Sequence, residues 1–198
     1  MRDDVIVAVR HDEPIRTEVG RFDQTSIALH WLTLVLVVTQ FATAWLLDVA
    51  GANHTALLTA HRSTGQLTWV VVVARLAWRW WFAHLPPFPA SMPRFQQRMA
   101  KLNEYLLYGL LLLQPLTGLG DTLFRGRPFG LFGLHVPGFL PANKPVHLML
   151  HTAHEVGANA LLLLIAVHAA AALMHGLILR DGVAQRMSPW ARRDSDVR

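Results

Sequence analysis

The sequence contains no cysteine and little charge, and each shortage excludes a class of protein. Without cysteine, the chain forms no disulfide, no thiolate-ligated iron–sulfur cluster and no thioether-linked haem. Only 16% of its residues are charged, whereas 53% are hydrophobic, and the mean hydropathy is +0.30. Soluble domains carry about 25% charged residues, so the composition predicts a membrane protein.

Acidic residues are also fewer than basic ones, 13 against 18. The basic residues flank apolar runs and form no continuous stripe, so nucleic acid is not predicted as a partner. The first 25 residues contain six acids and lack the apolar middle of a cleavable signal peptide. We expect residues 1–25 to form a polar cytoplasmic leader.

Four apolar segments are long enough to cross a membrane as helices, which takes about 20 residues each. They lie at 27–47, 57–82, 103–124 and 152–179. The predicted fold class is therefore all-α, an integral membrane four-helix bundle over residues 26–180.

The connections between these segments differ in composition. Residues 90–103 are basic and are predicted to form a loop, whereas 125–150 are rich in Pro, Gly and aromatics and are predicted to form an ordered cap at the membrane surface. Residues 181–198 are predicted to be a basic cytoplasmic tail.

The distribution of Lys and Arg predicts the orientation, because cytoplasmic loops carry the excess of positive charge. Fourteen of the 18 lie in the leader, in 75–103 or in 179–198. Both termini of this multi-pass membrane protein are therefore predicted to be cytoplasmic.

Histidines interrupt the fourth segment, where an ionisable side chain is costly and usually functional. His154 and His168 are fourteen residues apart, which places them on one helix face and about 21 Å apart along the axis. His30 and His61 lie at matching depths on the first two segments. The predicted pairs are His30 with His168 and His61 with His154.

Two imidazoles facing each other across a bundle are the usual axial ligands of a b-type haem that has no covalent link to the chain. The spacing therefore predicts two haem b groups, with iron ligands His30, His61, His154 and His168. Zinc is the competing metal, with His147, His151 and His154 as candidate ligands.

Three arginines are candidate partners of the haem propionates, since a guanidinium pairs well with a carboxylate. Arg75 lies fourteen residues after His61, at the predicted depth of His30 and His168. Arg79 lies one turn further. Contact with the lipid headgroups is the alternative role of both Arg75 and Arg79. Arg62 is assigned to the other haem, or to attracting anions there.

Six motifs resemble the bacterial cytochrome b561 family in order and spacing, between Arg21 and Pro189. They are ALHWL at 28–32, HRSTG at 61–65, ARLAWR at 74–79, LQPLTGL at 113–119, AHEVGAN at 153–159 and VHAAAALMH at 167–175.

The resemblance implies a four-helix inner-membrane protein with two b haems on the same four histidines. It also implies a superoxide:quinone oxidoreductase, which passes electrons from periplasmic superoxide to ubiquinone. The alternative is a cytochrome b electron-transfer subunit that serves a periplasmic redox protein partner, docked on 125–150. A structural membrane protein without a cofactor is the third hypothesis.

Overall fold

The computed structural model describes residues 20–90 and 92–190 and is a bundle of long helices. The four are α1 (Gln24–Leu47), α2 (His54–Trp81), α3 (Arg94–Phe124) and α4 (Lys144–Leu173). α1 packs along α2, α2 along α3 and α3 along α4, whereas α4 meets α1 and α2 with slight contact at most. Most of the predicted leader and the end of the predicted tail lie outside the described residues.

Three helices in the described part of the chain are long and apolar enough to cross a membrane: α1, α3, and α4 with its continuation to Leu179. α2 is also long enough, at 28 residues, but its arginines lower its hydropathy. It packs between α1 and α3. Large apolar side chains such as Val35, Val38 and Leu163 are exposed on the outside of the bundle, as contact with lipid requires. The all-α membrane bundle is thus confirmed.

The apolar core lies midway along the bundle, around Val72, the largest fully buried side chain among the described residues. Val37, Leu111 and Leu161 pack with it, so each of the four helices contributes one residue. This core holds the helices in register between the two ends of the bundle.

α1 is fixed at its start by Asp23, which accepts hydrogen bonds from the backbone N–H of Ser26 at 2.9 Å and from Nε1 of Trp78 at 2.9 Å. Burial alone would raise the pKa of Asp23, but the hydrogen bonds from Ser26 and Trp78 lower it below its ordinary value. The cap therefore joins the start of α1 to the end of α2.

Two expectations about connections were wrong. Residues 94–103 are not a loop but the first turns of α3, because Arg, Gln, Met, Ala, Lys and Leu are good helix formers. Their polarity marks the end of the apolar span and not the end of the helix. α4 likewise begins at Lys144, where the Asn143 side chain caps the N–H of Val146 and Pro145 occupies the first turn, as is favourable there.

The connection from α3 to α4 contains a β-hairpin, β1 (Phe129–Leu131) and β2 (Leu134–Val136). Phe132 and Gly133 both have positive φ, which is typical of the tight turns that suit a hairpin's twist. A Cβ on Gly130 would clash with Oγ1 of Thr59, so glycine at this position allows β1 to pack closely against α2. The N–H of Phe132 donates to Oγ of Ser63 at 2.7 Å.

After α4, a π-helical segment, Met174–Leu179, leads to a short 3₁₀ helix, Ala184–Met187. Nε1 of Trp31 donates to the carbonyl of Met187 at 2.9 Å, and Nη1 of Arg186 donates to the carbonyl of Pro87 at 2.5 Å. This segment therefore folds back over the end of the bundle where α1 begins.

Candidate functional site: two facing histidine pairs

The structure brings the four singled-out histidines together in two pairs. The first pair is His30 of α1 and His168 of α4, with ring centroids 6.2 Å apart and ring planes at 65°. The second pair is His61 of α2 and His154 of α4, with centroids 6.3 Å apart and planes at 85°. Each pair joins α4 to a helix against which it packs little.

The two pairs lie at opposite ends of the bundle. Thr43 marks the level of the second pair on α1, because its hydroxyl is 2.9 Å from Nδ1 of His61. Thr43 follows His30 by thirteen residues, or about 20 Å along the helix. The pairs are therefore stacked along the direction in which the helices cross the membrane.

The separation within each pair fits two imidazoles on opposite sides of one metal ion. With each ligating nitrogen about 2 Å from the ion, the ring centroids stand about 6 Å apart. Both observed separations, 6.2 Å and 6.3 Å, agree with this. In each of the two places, the pair of histidines would therefore suit a metal ion held between the two rings, such as the iron of a b-type haem.

Hydrogen bonds orient both rings of the second pair. The Thr43 hydroxyl lies 2.8 Å from the carbonyl of Thr39 and 2.9 Å from Nδ1 of His61. When it donates to the carbonyl, it accepts from Nδ1–H of His61. Nδ1–H of His154 donates to the carbonyl of Gln114 at 3.0 Å. Each Nε2 is then the nitrogen with the free lone pair, the arrangement that outer hydrogen bonds impose on metal-binding histidines. Sequence reasoning did not identify Thr43 or Gln114.

Gly118 of α3 gives the His154 ring its space. A Cβ at this position would lie 3.0 Å from Cε1 of His154 and 3.2 Å from Nδ1, closer than ordinary packing allows. Gly157 meets a different neighbour, since its Cβ would clash with Nε2 of Gln114. The glycines near the second pair thus let α3 and α4 approach closely around His154.

The first pair has fewer polar supports. Nδ1 of His30 is buried and finds no hydrogen-bond partner among the described residues. Such an atom calls for an explanation, for example a bound group. Arg75 is near enough to interact electrostatically with both His30 and His168. Its guanidinium lies 5.3 Å from the ring centroid of Tyr108.

The other two arginines already have partners in the protein. Arg79 forms an ion pair with Glu104 of α3 at 2.8 Å. Nε of Arg62 donates to Oγ1 of Thr122 at 3.2 Å, and its guanidinium lies 5.7 Å from the centre of the Phe129 ring. Arg62 thus lies near the second pair and the hairpin, whereas Arg79 lies near the first pair.

The histidines considered for zinc are arranged differently. His147 pairs with the carboxylate of Asp121, and His151 lies 3.7 Å from the same carboxylate. Arg125 binds it as well, at 2.9 Å. In residues 20–90 and 92–190, no three His, Asp or Glu side chains are placed to hold a metal ion. Asp121 instead joins the end of α3 to the start of α4.

His175 is buried beside the first-pair end of α4, where its Nδ1–H donates to Oδ2 of Asp181 at 2.6 Å. Burial alone would raise the pKa of Asp181, but the hydrogen bond from His175 lowers it below its ordinary value. A carboxylate at this end of the bundle is therefore kept ionised next to an imidazole.

Apolar helices that carry two histidine pairs at separate levels define a class, the helical membrane proteins of electron transfer. The family model described as prokaryotic cytochrome b561 matches residues 21–190. The chain belongs to that family, and its membership implies a b-type haem.

Three relatives are similar to this chain over almost their whole length. Cytochrome b561 homolog 1 of Escherichia coli K12 is 30% identical over 86% of this chain and 98% of its own. The probable superoxide oxidase CybB of Yersinia pestis is 27% identical over 87% and 98%. Cytochrome b561 homolog 2 of E. coli K12 is 28% identical over 89% and 96%.

Proposed function

We propose that the protein is a di-haem superoxide:quinone oxidoreductase, which moves electrons from superoxide on the periplasmic side of the inner membrane to ubiquinone. The observation that carries the proposal is the stacking of two imidazole pairs, each with a separation suited to one metal ion. The similarity to a probable superoxide oxidase supports the choice of substrate.

The four histidines are proposed to hold one b-type haem in each pair. When bound, such a haem supplies a one-electron couple whose potential depends on its ligands and surroundings. Thr43 and Gln114 keep the Nδ1 protons of His61 and His154 occupied, so that Nε2 remains available. Arg75 is proposed to neutralise a propionate at the first pair.

The reaction balances when two superoxide ions lose one electron each to give two molecules of oxygen. One ubiquinone then gains both electrons and two protons to give ubiquinol. Arg62 near the second pair favours an anionic substrate there. At the other end, His175 is a candidate contact of the quinone, with Asp181 as its hydrogen-bonded partner.

The orientation follows from the same proposal. The end with the first pair also holds the segment after α4 and the start of α1. Eight of the twelve Lys and Arg among the described residues lie toward this end. We therefore place both termini and the first pair on the cytoplasmic side. The second pair, Arg62 and the hairpin then face the periplasm.

Steady-state assays of purified protein would test the activity. Superoxide is generated enzymatically, and ubiquinol formation from a short-chain ubiquinone is followed with and without superoxide dismutase. We expect quinol formation that the dismutase abolishes and that His61→Ala removes. Fully haem-loaded protein that neither consumes superoxide nor reduces the quinone would refute the activity while leaving the haem sites intact.

A second candidate function is electron transfer to or from a periplasmic protein. The hairpin favours it, because Phe132 and Leu134 are 58% and 70% exposed at its tip. Under this alternative the isolated protein is inactive with superoxide and co-purifies with a redox partner. Phe132→Ser together with Leu134→Ser should then abolish the co-purification without changing the haem content.

A further inference from the structure

A basic groove of about 560 Å³ lies against the first turns of α3, at the end of the bundle that holds the first pair. Three cations line it, Arg94, Arg98 and Lys101, together with the rings of Phe88 and Tyr105. The α3 residues recur at intervals of three or four, so they share one face of the helix. Nothing in the proposed electron transfer uses this groove.

The positive charge of the groove is not neutralised by the nearby acid. Glu104 is the nearby acid, and its two oxygens are taken by Arg79 at 2.8 Å and by Lys101 at 3.1 Å. Neither Arg94 nor Arg98 has an ion-pair partner within the described ranges. A ligand with a negative charge would therefore be attracted to these two guanidinium groups.

The same face of α3 becomes apolar directly beyond the cations. Leu102, Tyr105 and Leu106 are 49%, 67% and 45% exposed, and Leu113 further along is 55% exposed. Tyrosine is typical of the level where headgroups meet the hydrocarbon. A ligand in the groove thus meets cations at one end and a strip of lipid-facing side chains at the other.

We propose that the groove is a specific binding site for an anionic phospholipid. The phosphate binds Arg94 and Arg98, with Lys101 beside them, and one acyl chain lies along Leu102 and Tyr105. A guanidinium binds phosphate through two parallel hydrogen bonds, and basic pockets at the cytoplasmic ends of membrane helices suit anionic headgroups. A free inorganic phosphate would use the cations but not the apolar strip.

The test compares lipid binding by the full-length protein and by Arg94→Gln/Arg98→Gln. Delipidated protein in detergent is titrated with phosphatidylglycerol or phosphatidylcholine, and bound lipid is counted by native mass spectrometry. Each cation near an anionic lipid contributes about fivefold. We therefore expect phosphatidylglycerol to bind the variant about thirtyfold more weakly.

Arg180→Gln is the matched control. Arg180 follows α4 at the same end of the bundle and is exposed, but it does not line the groove. It should bind phosphatidylglycerol as the wild type does. Circular dichroism checks that the double variant is folded. If it is not, Arg98→Gln alone is tested, and its affinity for phosphatidylglycerol should fall about fivefold.

Three results would overturn the proposal. The first is equal binding of phosphatidylglycerol and phosphatidylcholine by the wild type. The second is equal loss in Arg180→Gln and in the groove variant. The third is a thermal stabilisation by inorganic phosphate as large as that by phosphatidylglycerol, which would mark a site for small anions and not for lipid.

Discussion

Replacing Gly118 by alanine tests whether the second pair depends on the close approach of α3 to His154. The new Cβ would lie 3.0 Å from Cε1 of His154 and 3.2 Å from its Nδ1, whereas carbon atoms pack best at about 3.5–4.0 Å. The His154 ring must move by a few tenths of an ångström, and this movement strains its hydrogen bond to the carbonyl of Gln114.

Overpacking of this kind costs about 1–3 kcal/mol. If the cost falls on His154, the haem that we propose for the second pair should be held about 5- to 150-fold more weakly. The first pair lies about 20 Å away along the helices and should be unaffected. The assay incubates the purified protein with excess apomyoglobin, which captures released haem, and then counts the haem left per chain.

Gly109→Ala is the matched control on the same helix, because no atom lies within 4 Å of its new Cβ. We expect this control to keep two haems and Gly118→Ala to keep one. Equal haem retention in Gly118→Ala and Gly109→Ala would refute the reasoning.

Other substitutions probe the polar contacts. Thr43→Val removes the acceptor of the His61 Nδ1–H and should weaken haem binding at the second pair about 10- to 100-fold, measured by the same capture assay. Arg75→Gln should lower the haem content of the first pair more than Arg79→Gln does, because the Arg79 side chain is already paired with Glu104 at 2.8 Å. Because folding lowers the pKa of Asp181, its carboxylate stabilises the folded state at pH values above the ordinary pKa of 3.8. This contribution is lost as the pH falls through the lowered pKa. Asp181→Asn should therefore flatten the acid side of a plot of unfolding temperature against pH.

The histidine pairs could be predicted from the sequence because helix geometry determines them. Fourteen residues on a membrane helix preserve the face and span most of the apolar thickness, so His154 and His168 had to meet partners at two depths. The partners followed from counting residues into the first two helices. The proximity of Arg75 to His30 and His168 agrees with the same count from His61.

The parts that could not be predicted depend on contacts between distant residues. The hairpin turn at Phe132 and Gly133 lacks the Asn-Gly or Asp-Gly pair that marks such turns, and it is held in place by Ser63 of α2. Gly118 looks like any small residue in an apolar helix until His154 is packed against it. Helix ends were also missed, because hydropathy locates the membrane and not the last hydrogen-bonded turn.

The most direct test of the central claim is the number of b haems per chain in the wild type, His30→Ala and His61→Ala, from dithionite-reduced minus oxidised spectra and a haem titration. We predict two haems in the wild type and one in each variant, with His61→Ala/His154→Ala losing no more than His61→Ala. A protein without haem, or with one haem that is insensitive to His61 and His154, would contradict a pair of haems stacked across the membrane.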